Sequence, residues 1–294
     1  MEIRMLRYFL TVANEQSISQ AARVLHITQP TLSRQIKDFE DKLGTDLFVR
    51  QNKKMLLTEA GLFLKKRAEE ILYLNDATEQ EFLEQREGAL SGHLAIGCVE
   101  ADNSTVLAQI LGEMLAEHPQ ITFRLFSGIG DDILEKLDKG LLDAAILIEP
   151  VSTDKYEKII LPVKERWGLL VSTDTELATK KQITKHDLLK VPLLCSNRTA
   201  VEDMLYQWAQ CSAEDLKIVG RYNLIFNIFA LVQNQIGAAL TIEGVVANRK
   251  IETITFVPFY PEIETHCVLV WKKNTILSPT VHAFIEKFKH AFKA

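Results

Sequence analysis

Residues 17–58, SISQAARVLHITQPTLSRQIKDFEDKLGTDLFVRQNKKMLLT, decide how the rest of the chain is read. Their middle predicts one helix with a start signal, a stop signal and two unlike faces. Thr28 is the candidate N-cap, Pro30 belongs in a first turn, and Gly44 stands where a C-terminal cap belongs. Leu32, Ile36, Phe39 and Leu43 recur at steps of four and three, which makes them one buried stripe. Pro30, Arg34 and Lys37 fall on the other side. Charge is graded along the axis as well: residues 28–37 hold Arg34 and Lys37 and no acid, whereas Asp38, Glu40 and Asp41 follow. Phosphates would repel the acidic half, so only the first turns could enter a DNA groove, as the N-terminal end of a recognition helix does.

Working outward, Ser19 is a candidate cap for a short helix over Gln20–Leu25, whose Ala21 and Ala22 permit a close helix crossing. His26 and Ile27 form the turn into Thr28, completing a helix-turn-helix. Downstream, Leu47–Arg50 and Lys54–Leu57 flank the turn-prone trio Gln51-Asn52-Lys53 and predict a β-hairpin wing, with Arg50, Lys53 and Lys54 placed to meet phosphates. Upstream, Met5–Asn14 predicts a helix with Leu6, Phe9, Leu10 and Ala13 inward, packing on Ala21, Ala22, Leu25, Leu32 and Ile36.

The run AARVLHITQPTLSRQIKDFEDKLGTDLFVR followed by LTEAG, from Ala21 to Gly61, resembles the N-terminal signature of the LysR-type transcriptional regulators. Phe39 stands where that family usually has Leu, and Lys53 where Arg is common, which keeps the charge but loses bidentate geometry. The resemblance implies an N-terminal winged helix-turn-helix, mainly α, a long linker helix, and a C-terminal two-lobed α/β effector domain resembling a periplasmic binding protein. It further implies a regulator acting as a homodimer or homotetramer, with promoter duplex, a small-molecule effector and RNA polymerase as partners. Ser19, Gln29, Pro30, Thr31 and Ser33, with Arg34, Lys37 and the three wing cations, are the candidate DNA contacts. Arg34 leads for a base edge, because Arg on guanine is the commonest specific major-groove contact. Two alternatives stand beside this: a winged helix used only for protein contacts, and a solute-sensing binding protein whose helix-turn-helix has lost DNA binding.

A chain of 294 residues exceeds one ordinary core and should divide into two or three units. With 47% apolar and 25% charged residues it has the composition of a soluble globular protein. No apolar run is long enough to span a membrane, and no leader precedes the first helix, so a cytoplasmic protein is expected. Cys98, Cys195, Cys211 and Cys267 match no metal or redox spacing and read as buried thiols; no metal or cofactor is expected. A net charge of −5 argues at first against nucleic acid. The charge is unevenly spread, however. Residues 1–58 carry nine Lys and Arg against six Asp and Glu, whereas residues 59–89 carry four against eight. The basic excess is therefore confined to the helix-turn-helix segment, as local phosphate binding requires.

The domains expected are 1–58, a DNA-binding unit; 59–89, a linker and dimerisation helix capped by Thr58; and 90–294, an effector domain. Leu64, Ala68, Ile71, Leu74 or Asn75, Thr78 and Phe82 approximate a heptad seam in the linker helix; a solvated acidic tether is the alternative. Beyond Ser91-Gly92, strands (His93–Val99, Ile121–Phe126, Leu142–Ile148) alternate with helices (Thr105–His118, Asp131–Lys139), which points to parallel βαβ units. Further strands fall at Trp167–Ser172, Leu193–Cys195, Ile236–Thr241, Ile254–Pro258 and Cys267–Trp271, with helices at Val201–Cys211, Leu224–Asn234 and Pro279–Phe292. The resemblance implies a first lobe of about 90–162 and 267–294 and a second of about 163–266.

Ligands in such folds sit beyond the carboxyl ends of the strands. Asn103, Ser104 and Thr105 follow the first strand, where hydroxyls and unpaired N–H groups favour an anion, although one of them could simply be a cap. Ser127, Gly128 and Gly130 follow the second; the family often has a hydroxyl where Gly130 stands, so the glycine leaves room. Ser196, Asn197, Arg198 and Thr241 complete the candidate effector contacts, with Asn223–Phe226 a further contributor. Arg198 could pair with a ligand anion or form an interlobe salt bridge with Glu149. No GxSxG, Walker or strand-following GxGxxG motif is present, and no catalytic residue is assigned.

Overall fold

The computed structural model describes residues 1–52, 54–87, 90–247, 249 and 251–292. Chain contacts fall into two units, Met1–Leu83 and Glu84–Ala294. In the first, α1 (Ile3–Glu15) buries Met5, Leu6, Phe9, Val12 and Ala13, with Leu10 at the half-buried margin. Helix α2 (Ile18–Val24) starts earlier than expected: Ser17, not Ser19, is the N-cap, its Oγ accepting the Gln20 N–H at 3.3 Å. The shift follows from Ile18, which packs against the core and so belongs inside the first turn. Ser19 is exposed on that turn.

Helix α3 (Gln29–Leu43) begins at Thr28, whose hydroxyl accepts the Thr31 N–H, and ends at Gly44, whose φ of 70° favours glycine. Leu32, Ile36 and Phe39 are buried, but the stripe does not continue to Leu43, which is 42% exposed. Glu40 turns inward instead. Its Oε1 accepts the N–H groups of Leu47 at 2.8 Å and Phe48 at 3.1 Å, so the acid anchors the start of the wing. Glu40→Gln keeps the volume but turns an amide donor or a weaker neutral oxygen on two buried donors. The expected cost is about 1 kcal/mol, read as faster amide exchange at Leu47 and Phe48.

The wing is a hairpin of β1 (Phe48–Gln51) and β2 (Lys54–Leu57), paired from Phe48↔Leu57 to Gln51↔Lys54, with Asn52 left-handed at φ 50° in its turn. Lys53 lies outside the described residues. Thr58 caps α4 (Glu59–Glu87) by accepting the Gly61 N–H at 3.0 Å, and its own hydroxyl donates to the Asp46 carbonyl at 2.8 Å. Leu64, Ala68 and Leu72 of α4 are buried in the same cluster as Phe9, Leu32 and Leu47. The expected heptad seam is therefore corrected over its first half. Leu64 and Ala68 complete this unit's own core, because three short helices and a hairpin leave an apolar flank that needs covering. Phe63, Leu74 and Phe82 remain exposed at 67%, 37% and 65%.

The second unit is built on a nine-stranded sheet ordered β4-β3-β5-β11-β6-β9-β7-β8, with β10 on β6. Strands β3 (His93–Cys98), β4 (Thr122–Ser127) and β5 (Ala144–Ile148) pair in parallel, connected by α5 (Ser104–Glu117) and α6 (Gly130–Asp138). Strand β6 (Tyr156–Ser172) runs through both lobes. Its second half joins β9 (Ala238–Ile242), and parallel β7 (Leu193–Ser196) and β8 (Ile218–Tyr222) follow. Helices α7 (Lys185–Leu188), α8 (Thr199–Ala209) and α9 (Ile228–Gln233) belong to this lobe, as does β10 (Ile254–Pro258). Strand β11 (Glu264–Lys272) returns antiparallel to β6, with a register shift between His266 and Val268, and α10 (Pro279–Ala291) closes the first lobe.

Several segments depart from expectation, the short helix α7 among them. The Tyr156–Arg166 half of β6 was unforeseen, because its charged residues mask the strand pattern where the chain crosses between lobes. Edge strand β8 was also unforeseen, and residues 224–227 are not helical.

Candidate nucleic-acid interface and interlobe cleft

On the N-terminal unit, Gln29, Pro30, Thr31, Arg34 and Lys37 are exposed on α3, and Ser33 is half-buried. The Arg34 side chain is 83% exposed, with Asp38 loosely paired at 3.8 Å. Lys37 is less available, lying 3.3 Å from Asp41 and 3.7 Å from Asp46. Its hydrogen bond to Asp41 raises its pKa above the ordinary lysine value. Thr31 is drawn toward the cap, its hydroxyl 2.8 Å from that of Thr28. Arg50 and Lys54 are exposed on the wing, and among the described residues neither has an ion-pair partner. Most of the local positive charge open to a ligand is thus Arg34, Arg50 and Lys54.

In the second unit, the carboxyl ends of β3, β4, β7 and β9 converge on a cleft between the lobes. Gly128, Gly130, Ser196, Arg198 and Thr241 line a cavity of about 90 Å³ there. Arg198 is buried; its Nη2 donates to the Pro150 carbonyl at 2.7 Å, and its Nε has no partner. Burial lowers its pKa while Asp131 opposes the shift, and arginine stays charged regardless. The room left by Gly130 is taken: a Cβ there would lie 3.3 Å from Arg198 Nη2. Arg198 therefore bridges the lobes through Pro150. The salt bridge with Glu149 does not form, since Glu149 turns to His266, accepting its N–H at 3.2 Å.

The other candidates separate. Ser104, Thr105 and Ser127 line a neighbouring interlobe cavity of about 300 Å³ with Glu100, Ile225 and Arg249. Asn197 is exposed and lines neither, its N–H donating to the Tyr222 carbonyl at 2.9 Å. Asn103 occupies the cap position of α5 without capping it; it is buried and lines a different cavity in the first lobe. Position beyond the carboxyl end of a strand is too coarse to separate these neighbours, because one residue of helical rotation changes the wall a side chain joins. Sequence reasoning missed Glu100, Trp167, Tyr222 and Glu165. Of these, Glu100 was within reach, standing directly beyond β3; its Oε2 accepts the Ile225 N–H at 3.0 Å across the cleft.

Glu165 forms a second crossing. Only 3% exposed, it accepts the N–H of Asp102 from the first lobe and of Gly244 from the second, each at 3.0 Å. Burial raises its pKa above the ordinary glutamate value, although the two N–H bonds and like charges also act on it. The thiols carry no comparable chemistry. Burial pushes Cys98 and Cys195 up to about 12, so they are protonated near neutral pH and poor nucleophiles. Among the described residues no group of His, Cys, Asp and Glu could hold a metal.

A winged helix-turn-helix with an exposed basic tip, carried in one chain with a two-lobed α/β domain, defines the class of DNA-binding regulators with an effector-binding domain. Comparison with known proteins agrees. Residues 3–62 match the bacterial regulatory helix-turn-helix protein, lysR family, and residues 87–293 match the LysR substrate binding domain. The chain belongs to the LysR family of transcriptional regulators. It is 28% identical to the uncharacterized HTH-type transcriptional regulator YwbI of Bacillus subtilis (strain 168), over 98% of this chain and 96% of that one. To the regulator BsdA of the same organism it is 39% identical over 53% of this chain, spanning 54% of BsdA. In fold it resembles the crystal structure of CbnR, a LysR family transcriptional regulator, with TM-score 0.76, 22% identity and full coverage of both chains. It resembles CbnR complexed with its target DNA at TM-score 0.74 and 21% identity, over 99% of this chain and 100% of that one.

Proposed function

We propose that residues 1–58 read duplex promoter DNA through the first turns of α3 and hold it through the wing. Residues 59–89 join subunits into a homodimer or homotetramer, and residues 90–294 bind a small anionic effector. The observation carrying the DNA reading is the exposed, acid-free tip of α3 with Arg34 at its centre. Arg34 contacts a base edge; Gln29, Pro30, Thr31, Ser33 and Ser19 line the approach; Arg50, Lys53 and Lys54 neutralise phosphates. Lys37 contributes only if DNA displaces its two acids. Exposed Phe63, Leu74 and Phe82 supply apolar surface for subunit pairing.

In the effector domain, Arg198 is the cation for the effector anion. To meet a ligand it exchanges its bond to Pro150 for the ligand's carboxylate, which couples occupancy to lobe closure. The present cavity of about 90 Å³ is smaller than the roughly 300 Å³ typical of small-molecule pockets, so closure must relax on binding. The altered placement of subunits then changes DNA geometry and recruitment of RNA polymerase in the cytoplasm. No catalytic step is assigned.

The test is a salt titration of binding to the chain's own upstream DNA, with two variants. Arg34→Ala should lose about 2 kcal/mol of discrimination between operator and mismatched sequences. Lys54→Ala should weaken all sequences alike and reduce the slope of log K against log salt by about one. Identical losses would remove the division of roles. A wild-type slope near zero would favour a solute-sensing protein that does not bind DNA.

A further inference from the structure

Two side chains of opposite charge, Glu100 and Arg198, line the cleft cavity of about 90 Å³, yet among the described residues they do not pair with each other. Glu100 stands directly beyond β3 in the first lobe, and Arg198 at the start of α8 in the second. Each reaches to a backbone group of the opposite lobe. Arg198 Nη2 donates to the Pro150 carbonyl at 2.7 Å, and Glu100 Oε2 accepts the Ile225 N–H at 3.0 Å. The cation thus holds a neutral acceptor and the acid a neutral donor. Glu100 Oε1 has no hydrogen bond among the described residues. Hydrogen bonds between two charged groups are the stronger kind, so a ligand bringing the opposite charges can exchange for both backbone partners.

We infer that the cleft takes a zwitterion, a compact amino acid with an apolar side chain, whose carboxylate replaces the Pro150 carbonyl on Arg198 and whose ammonium meets Glu100. This rests on the reading of Arg198 as the cation for the effector's acid, and adds the group that selects among acids. A lone carboxylate beside Arg198 would face the Glu100 charge across a small cavity, where like charges repel. A lone amine would leave Arg198 without a charged partner. The zwitterion matches both, and Val99, Trp167, Leu240 and Ile242 on the wall suit an apolar side chain. The small volume asks for a compact molecule. Because each of the two bonds crosses between lobes, the zwitterion releases both crossings, whereas a simple acid releases one. The neighbouring cavity of about 300 Å³ shares Glu100, Ile225 and Val245 with this one and offers Arg249 as a rival cation.

The test is calorimetric titration of the full chain with L-valine, with 3-methylbutanoate, which lacks the ammonium, and with 2-methylpropylamine, which lacks the carboxylate. Valine should bind about tenfold tighter than either, the value of one charge-assisted hydrogen bond. Glu100→Gln should weaken valine about tenfold while 3-methylbutanoate binds as before or tighter, and Arg198→Gln should weaken both alike. On the wild-type chain, no saturable binding of valine, or valine no tighter than 3-methylbutanoate, would overturn the inference without need of a variant. If 3-methylbutanoate still bound and depended on Arg198, the anion reading would survive that failure; with no Arg198-dependent binding of either, both would fall. Loss of valine binding in Arg249→Gln with retention in Arg198→Gln would place the carboxylate in the neighbouring cavity and overturn the inference as well.

Discussion

Gly61→Ala is expected to destabilise the N-terminal unit by about 2 kcal/mol, lowering its Tm by roughly 10 °C. Two effects oppose each other. Alanine is the better helix former and would gain up to about 1 kcal/mol inside a helix. Against this, a Cβ at Gly61 would collide with the Leu47 carbonyl oxygen and stand 2.9 Å from Leu57 Cδ2. The oxygen is backbone, and it also accepts the Thr58 N–H at 3.0 Å, so it cannot retreat without losing the bond that sets the helix start. Leu47 is buried at 1% exposure and its N–H is held by Glu40, so the displaced peptide would disturb the wing as well. The clash therefore wins. Gly112→Ala in α5 is the control, because its Cβ would meet nothing within 4 Å beyond its own helix backbone, and it should be neutral or slightly stabilising. An unchanged Tm in Gly61→Ala would show that the contact relaxes at little cost.

Gly244→Ala should open the tie between the lobes. Its Cβ would lie 2.5 and 2.6 Å from the two Glu165 oxygens and 2.7 Å from the Asp102 nitrogen. The carboxylate is fixed by its two N–H donors, so about 2 kcal/mol of the second unit's stability should be lost. Spin labels on the two lobes should report a wider separation; an unchanged distance would refute the tie. Glu165 adds a pH signature. Burial raises its pKa from the ordinary glutamate value of 4.5, so the folded chain binds this proton more tightly than the unfolded chain. Stability from this group is accordingly present at acid pH and is lost as pH climbs from about 4.5 through the raised folded value. Most carboxylates act in the other sense. At Asp187, burial would raise the pKa, but Lys180 and Thr184 overcome it and hold the group down to about 2. Subtracting the Tm–pH curve of Glu165→Gln from that of the wild-type chain should isolate a difference that falls with rising pH; a difference rising with pH would reverse the sign assigned here.

The two halves of the chain differed in how much they disclosed. The α3 start at Thr28, its stop at Gly44, the hairpin and the cap at Thr58 all rest on neighbours within a few residues, and each was legible from spacing alone. Where a long-range contact intervened, the local pattern misled. Glu40 and Leu43 exchanged roles because the chain returns at Leu47 and Phe48 and needs an acceptor there. Leu64 and Ala68 fit a heptad, yet they are claimed by the core of their own unit.

By itself the amino-acid order determined the family, the winged helix-turn-helix and its basic tip, and the alternation of strand and helix that makes a two-lobed domain. Those features follow from capping residues, periodicity and local charge, which act over one or two turns. Only the tertiary structure decided that Arg198 fills the space above Gly130, that Glu165 joins the lobes, and that Asn103 belongs to another cavity. The Glu100–Ile225 bond joins residues 125 positions apart, and Arg198–Pro150 joins residues 48 apart. Contacts at such separations depend on how packed strands bring distant chain ends together, and no spacing rule along the sequence encodes which ends will meet.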